Sequence, residues 1–144
     1  MRALLAGAIF AVVIGAVAPA AADPCTARLP TREGTQFSGV VQYIVDGDGL
    51  CVGPAGGDGS TWIEVRLMDY NAPERGEAGA REAADLLRSI AFGHQADCVV
   101  TRGRTGTRSY DRTHAVCVVN GRRLGDAMRA AGAAEGGNDG TRAH

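Results

Sequence analysis

Between Ser38 and Val45 the apolar residues Val40, Val41, Tyr43, Ile44 and Val45 make a β-rich run, and Asp46-Gly47-Asp48-Gly49 after it has the composition of a tight turn. Leu50, Cys51 and Val52 begin a second strand. The stretch from Gly53 to Ser60, rich in Gly with one Pro, reads as a surface loop, and Trp62 to Met68 alternates as a third strand. Pro73 closes that region. From Glu77 to Phe92 the residues Ala80, Ala83, Ala84, Leu87 and Ala91 recur at helical spacing, with Gly93 just past the end, which predicts an amphipathic helix. Two further β-rich runs, Cys98 to Thr101 and Ala115 to Val119, are separated by an Arg/Gly/Thr loop, and Leu124 to Ala131 predicts a last helix after the Asn120-Gly121 turn. Three strands, a helix, two strands and a helix describe a mainly β chain with helices (α+β), and a five-stranded barrel of the oligonucleotide-binding (OB) type with helices packed on it is the natural candidate.

The ends of the chain read differently. Residues 1–22 carry one Arg, an apolar run from Ala3 to Ala18, Pro19 and small residues, the plan of a secretory signal cleaved after Ala22. Residues 23–36 form an extended lead-in, 37–132 the domain, and 133–144 a Gly-rich polar tail expected to be disordered. One domain uses the whole length. The chain holds four cysteines, Cys25, Cys51, Cys98 and Cys117. An even count after a signal reads as disulfides in a periplasmic or secreted protein, with three pairings open, and no CxxC pair suggests zinc. Sixteen acidic residues stand against 15 basic ones, all Arg, so no broad electrostatic attraction to nucleic acid is implied. The arginines do crowd the last third, from Arg102 to Arg129.

Three segments could carry chemistry: Asp46-Gly47-Asp48 after the first strand, Arg66 to Glu74 leaving the third, and Tyr110-Asp111-Arg112 entering the fifth. Singly each is weak. Asp-Gly-Asp is most often a hairpin turn, and with Leu50 and Cys51 following it is not an EF-hand loop. Hydrolysis of a phosphodiester nevertheless needs these residue types together. Forked arginine donors, as on Arg66 and Arg112, meet the charge that builds on the phosphoryl oxygens, and a carboxylate such as Glu74 takes a proton from the attacking water.

Taken in register from Phe37 to Gly132, the three segments resemble the staphylococcal nuclease (thermonuclease) family, whose pattern is an Asp-Gly-Asp turn, an Arg-Leu…Asp-(Ala/Thr)-Pro-Glu segment and a Tyr-Gly-Arg segment. The resemblance implies the family's five-stranded OB-type barrel and an exported, calcium-dependent nuclease acting on DNA or RNA. It assigns Arg66, Glu74 and Arg112 to catalysis and Tyr110, with the two arginines, to the substrate phosphate. One Ca2+ would be held by Asp48, Asn71 and the carbonyl of Ala72, with Asp46 behind them. It also implies that Cys98 pairs with Cys117 on neighbouring antiparallel strands and that Cys25 staples the lead-in to Cys51. Nothing resembles a dimer seam, so a monomer is expected, without membrane contact once the signal is removed.

The chain departs from the pattern at several positions. Asn71 stands where the family has Asp, which predicts weaker metal binding or compensation by Asp69. Gly49 replaces a Thr after the turn. Asp111 replaces Gly, which a turn position of positive φ would accommodate. The family's C-terminal stacking tyrosines have no counterpart. These departures support an alternative, a catalytically weak or silent barrel that binds single-stranded nucleic acid or a protein partner.

Overall fold

The computed structural model describes residues 22–136. The expected signal up to residue 21 and residues 137–144 lie outside them. The strands are β1 (Gln36–Ile44), β2 (Gly49–Gly53), β3 (Ile63–Leu67), β4 (Gln95–Val100), β5 (Arg108–Ser109), β6 (Arg112–Val119) and β7 (Arg122–Arg123), with helices α1 (Ala80–Ala91) and α2 (Leu124–Ala130). β1, β2 and β3 form an antiparallel meander; β1 also pairs with β4, and β4 with β6. The parallel pairing of β3 with β6, Val65 opposite Thr113, closes the ring. The protein is therefore mainly β, a closed five-stranded barrel with two helices, while β5 and β7 are two-residue strands attached to β6.

Alternation fills the barrel. In β4, Ala96, Cys98 and Val100 are buried between exposed neighbours, as the two-residue period of a strand requires. They join Val41, Ile44, Leu50, Val52, Val65, Leu67, Ala115, Cys117 and Val119, and the barrel is capped by Ala83, Leu87 and Ala91 of α1 and Leu124 and Met128 of α2. Removing such side chains from water is the main force that holds the fold together. α1 begins three residues later than its apolar period suggests. Gly76 and Gly79 take φ of 91° and 85°, a left-handed backbone that keeps residues 74–79 in a loop, and the helix starts only beyond them.

Both disulfides join the expected partners. Cys98 and Cys117 face each other across the β4–β6 ladder, inside the core, and Cys25 is bonded to Cys51 of β2. The lead-in is consequently bound to the barrel. Thr26 N–H donates to Gly59 O (2.8 Å), Ala27 N–H to Trp62 O (3.1 Å), and the Thr113 hydroxyl to Pro30 O (2.6 Å). Two disulfides fit an oxidising compartment. Among the described residues no helix is long and apolar enough to cross a membrane.

The C-terminal segment corrects its composition-based reading over residues 133–136. Ala133 N–H continues from α2 to Met128 O (3.1 Å), the buried Tyr70 hydroxyl donates to Ala134 O, Glu135 pairs with Arg129 (2.8 Å), and Gly136 N–H donates to Asn71 O (3.0 Å). Arg129 also donates to Asp69 O (2.6 Å). Those four residues therefore strap the loop that leaves β3. A buried tyrosine needs a partner for its hydroxyl, and the strap supplies one.

Candidate active site

The β1–β2 turn brings Asp46 and Asp48 to one end of the barrel wall. Asp46 Oδ1 accepts from Asp48 N–H (3.1 Å), a local bond typical of Asp in turns. Gly47 is required by close approach: a Cβ there would lie 2.6 Å from Ala72 Cβ and 2.8 Å from Ala83 Cβ. At Gly49 a Cβ would lie 2.7 Å from Asp46 Oδ1, so glycine leaves space for the Asp46 carboxylate. Asp48 is buried and its Oδ2 accepts from Ala72 N–H (2.7 Å), tying the turn to the loop after β3.

Arg66, on β3 between Gly49 of β2 and His114 of β6, reaches around that same loop. Its Nη1 donates to Leu67 O and Tyr70 O (3.1 Å), and its Nη2 contacts Asn71 Oδ1 and Asp48 Oδ2 (3.1 Å). Asp48 and Asn71 thus share one guanidinium nitrogen. Arg112, the first residue of β6, approaches Asp46 with Nη1–Oδ2 of 3.7 Å.

Two cavities meet at these residues. One of about 670 Å³ is lined by Asp46, Asp48, Arg66, Ala72, Glu74 and Arg112 with the loop into α1. A second of about 490 Å³ is lined by Arg66, Met68, Glu74, Arg104, Tyr110, Arg112 and His114, among others. Arg66, Glu74 and Arg112 line both. The three predicted catalytic residues, drawn from three separate segments, are therefore neighbours. Tyr110 is 90 % exposed at the β5–β6 turn, and it, not Asp111, takes the positive φ of 52°. The expectation for Asp111 is corrected accordingly.

Burial raises the carboxyl of Asp48, with Asp46 adding to it, while Arg66 and the Ala72 N–H act in the opposite direction. Asp69 does not join the site. Its Oδ2 accepts from Gly125 N–H (3.1 Å) at the start of α2, and it cannot compensate for Asn71. Glu64 and His114 are buried polar residues that the sequence reading missed. His114 Nδ1 lies 2.8 Å from Gly106 O, which only accepts, so that nitrogen carries the proton. Burial holds the ring's pKa below its usual value, so Nε2 of the neutral ring accepts from the Ser109 hydroxyl (3.0 Å). A single His within a strand gives no sequence signal for such a role.

The candidate calcium donors are the oxygens of Asp48, Asn71 and Ala72, the donor type a hard cation takes. As oxygen donors Asp48 and Asn71 fit in kind, but Asp48 Oδ2 and Asn71 Oδ1 both lie against Arg66 Nη2, a cation in their midst. The pair is also poor in charge. Only one member is a carboxylate, and among the described residues no three His, Cys, Asp or Glu side chains form a group that could hold a metal. Compared with models of known protein families and with curated proteins, the chain matches none.

Proposed function

We propose that this protein is an exported nuclease of the staphylococcal nuclease type on an OB-type barrel, hydrolysing phosphodiester bonds of DNA or RNA. The observation that carries the reading is that Arg66, Glu74 and Arg112, drawn from three separate segments, line both cavities. The meander of β1–β3 and the parallel β3–β6 closure support the OB assignment. With a phosphodiester between the cavities, Arg112 and Arg66 meet its non-bridging oxygens, and charge developing there is stabilised by their donors. Glu74 takes the proton of a water attacking in line. Tyr110, beside Arg112, contacts the phosphate. A calcium ion bound by Asp48, Asn71 and the Ala72 carbonyl would supply polarisation of the phosphate and additional positive charge.

One observation favours a second reading, a barrel that binds single-stranded nucleic acid or a protein partner without cutting. Arg66 already contacts both side-chain metal donors and two loop carbonyls. Cleavage of single- and double-stranded DNA and of RNA, followed with calcium, magnesium or chelator, separates the two readings. The nuclease reading predicts calcium-dependent cleavage that increases in Asn71→Asp, where the missing negative charge is restored. Binding with no cleavage in either protein supports the second.

A further inference from the structure

Glu64 lies on β3 two residues before Arg66 and so on the same side of the strand, opposite Cys51 of β2. The parallel register that sets Val65 against Thr113 puts Glu64 beside Arg112 on the next strand. The residue is 2 % exposed, and its Oε2 is buried with no hydrogen-bond partner among the described residues. A carboxylate in that condition is costly to keep ionised. The charged groups acting on it come from each neighbouring element: Asp23 of the lead-in, Asp46 of the β1–β2 turn, Asp111 of the β5–β6 turn, and Arg112 of β6. Arg112 is the one cation among them, and Asp46 already approaches it at 3.7 Å.

We propose that Glu64 is a positioning residue for Arg112: protonated, it leaves the guanidinium to a bound phosphate, and ionised, it competes with the phosphate for it. The inference rests on the phosphate-site reading given above. Burial, reinforced by Asp111 and Asp23, pushes the Glu64 carboxyl up to about 7, so the exchange falls near neutral pH. An anion bound at Arg112 draws the arginine's charge away from Glu64 and raises that value further. The complex therefore holds the proton more firmly than the free protein, and affinity falls as pH rises.

The test is binding of a fluorescently labelled single-stranded oligodeoxynucleotide to the full chain in chelator between pH 5.5 and 8.5, for the parent and Glu64→Gln. The parent's Kd is expected to rise about three- to tenfold across that range, the consequence of a shift of about half to one pKa unit on binding. Glu64→Gln shows a clearly smaller rise than the parent, and what remains belongs to Asp48 beside Arg66, whose carboxyl burial also raises. An unchanged pH dependence in Glu64→Gln overturns this inference and leaves the phosphate site standing. No binding by either protein at any pH overturns the phosphate site itself, and the inference with it. In the parent, the carbon-13 carboxyl resonance of Glu64 must titrate at higher pH when oligonucleotide is bound, and a value that does not move overturns the proposal independently of the variant's folding.

Discussion

Replacing Arg66 with Met tests how much of the site's geometry depends on one guanidinium. The side chains of Arg66 and Asp48 are 14 % and 9 % exposed, so their pair is close to fully buried. Removing one partner of such a pair typically costs about 3–5 kcal/mol, because the other charge is left in a medium that solvates it poorly. Asp48 keeps the Ala72 N–H as a donor, and its carboxyl, already raised by burial, takes up a proton once Arg66 no longer opposes that, which puts the expected loss near the lower end, about 3 kcal/mol. Met preserves the packing of the arginine stem, so the change reports the lost charge and hydrogen bonds more than a cavity. Urea unfolding followed by fluorescence of Trp62, the chain's single tryptophan, gives the measurement. With a slope of about 1.5 kcal/mol/M, the midpoint falls by about 2 M. Combining Arg66→Met with Asp48→Asn should recover part of that loss, since the orphaned charge is then absent. A loss below about 1 kcal/mol, or no recovery in the double variant, would refute the claim that Arg66 and Asp48 form a coupled buried pair.

Two further outcomes follow from the same contacts. Tyr70→Phe removes the hydroxyl that holds the 133–136 strap to the loop after β3, and should cost about 1 to 2 kcal/mol in urea unfolding, with increased amide exchange at Asn71 and Gly136. Glu64→Gln should change stability with a definite sign. The folded carboxyl titrates at about 7 against an ordinary 4.5, so the folded state holds an extra proton between those values, and the parent loses stability as pH rises through that window. Glu64→Gln should therefore match the parent near pH 4 and exceed it by about 1–2 kcal/mol at pH 8, a figure discounted for solvent screening. Equal stability of the two proteins at pH 8 would show that Glu64 is not held against ionisation.

Much of the barrel was legible because alternation in Trp62–Met68, the Asp-Gly-Asp and Asn-Gly turns and the Ala/Leu period of α1 are local signals. The two disulfides followed from strand neighbours implied by a resemblance, which spacing alone left open. What escaped the sequence depends on long-range contacts. Residues 133–136 are Gly- and Ala-rich, yet they are fixed by Tyr70 and Arg129, whose proximity arises only once the loop after β3 has folded against α2. Glu64 drew no reading from its place in an alternating strand; the Cys25–Cys51 link brings the lead-in to its side of the barrel, and the residue is buried. Asp69 could not be assigned from its place in the motif, since its carboxylate faces the first turn of α2. The convergence of Arg66, Glu74 and Arg112 was an expectation from three separated motifs, and barrel closure by β3 and β6 is what brings the two arginines onto adjacent strands.

The most direct test of the nuclease reading is the rate at which the parent and Glu74→Gln cut single-stranded DNA in saturating calcium. Glu74→Gln retains the size of the side chain and removes the base, so the parent should cut and the variant should be about 10²- to 10⁴-fold slower, with oligonucleotide affinity nearly unchanged. Equal rates in the two proteins would contradict the assignment of Glu74 as the base, and a parent that binds but does not cut would contradict the nuclease reading.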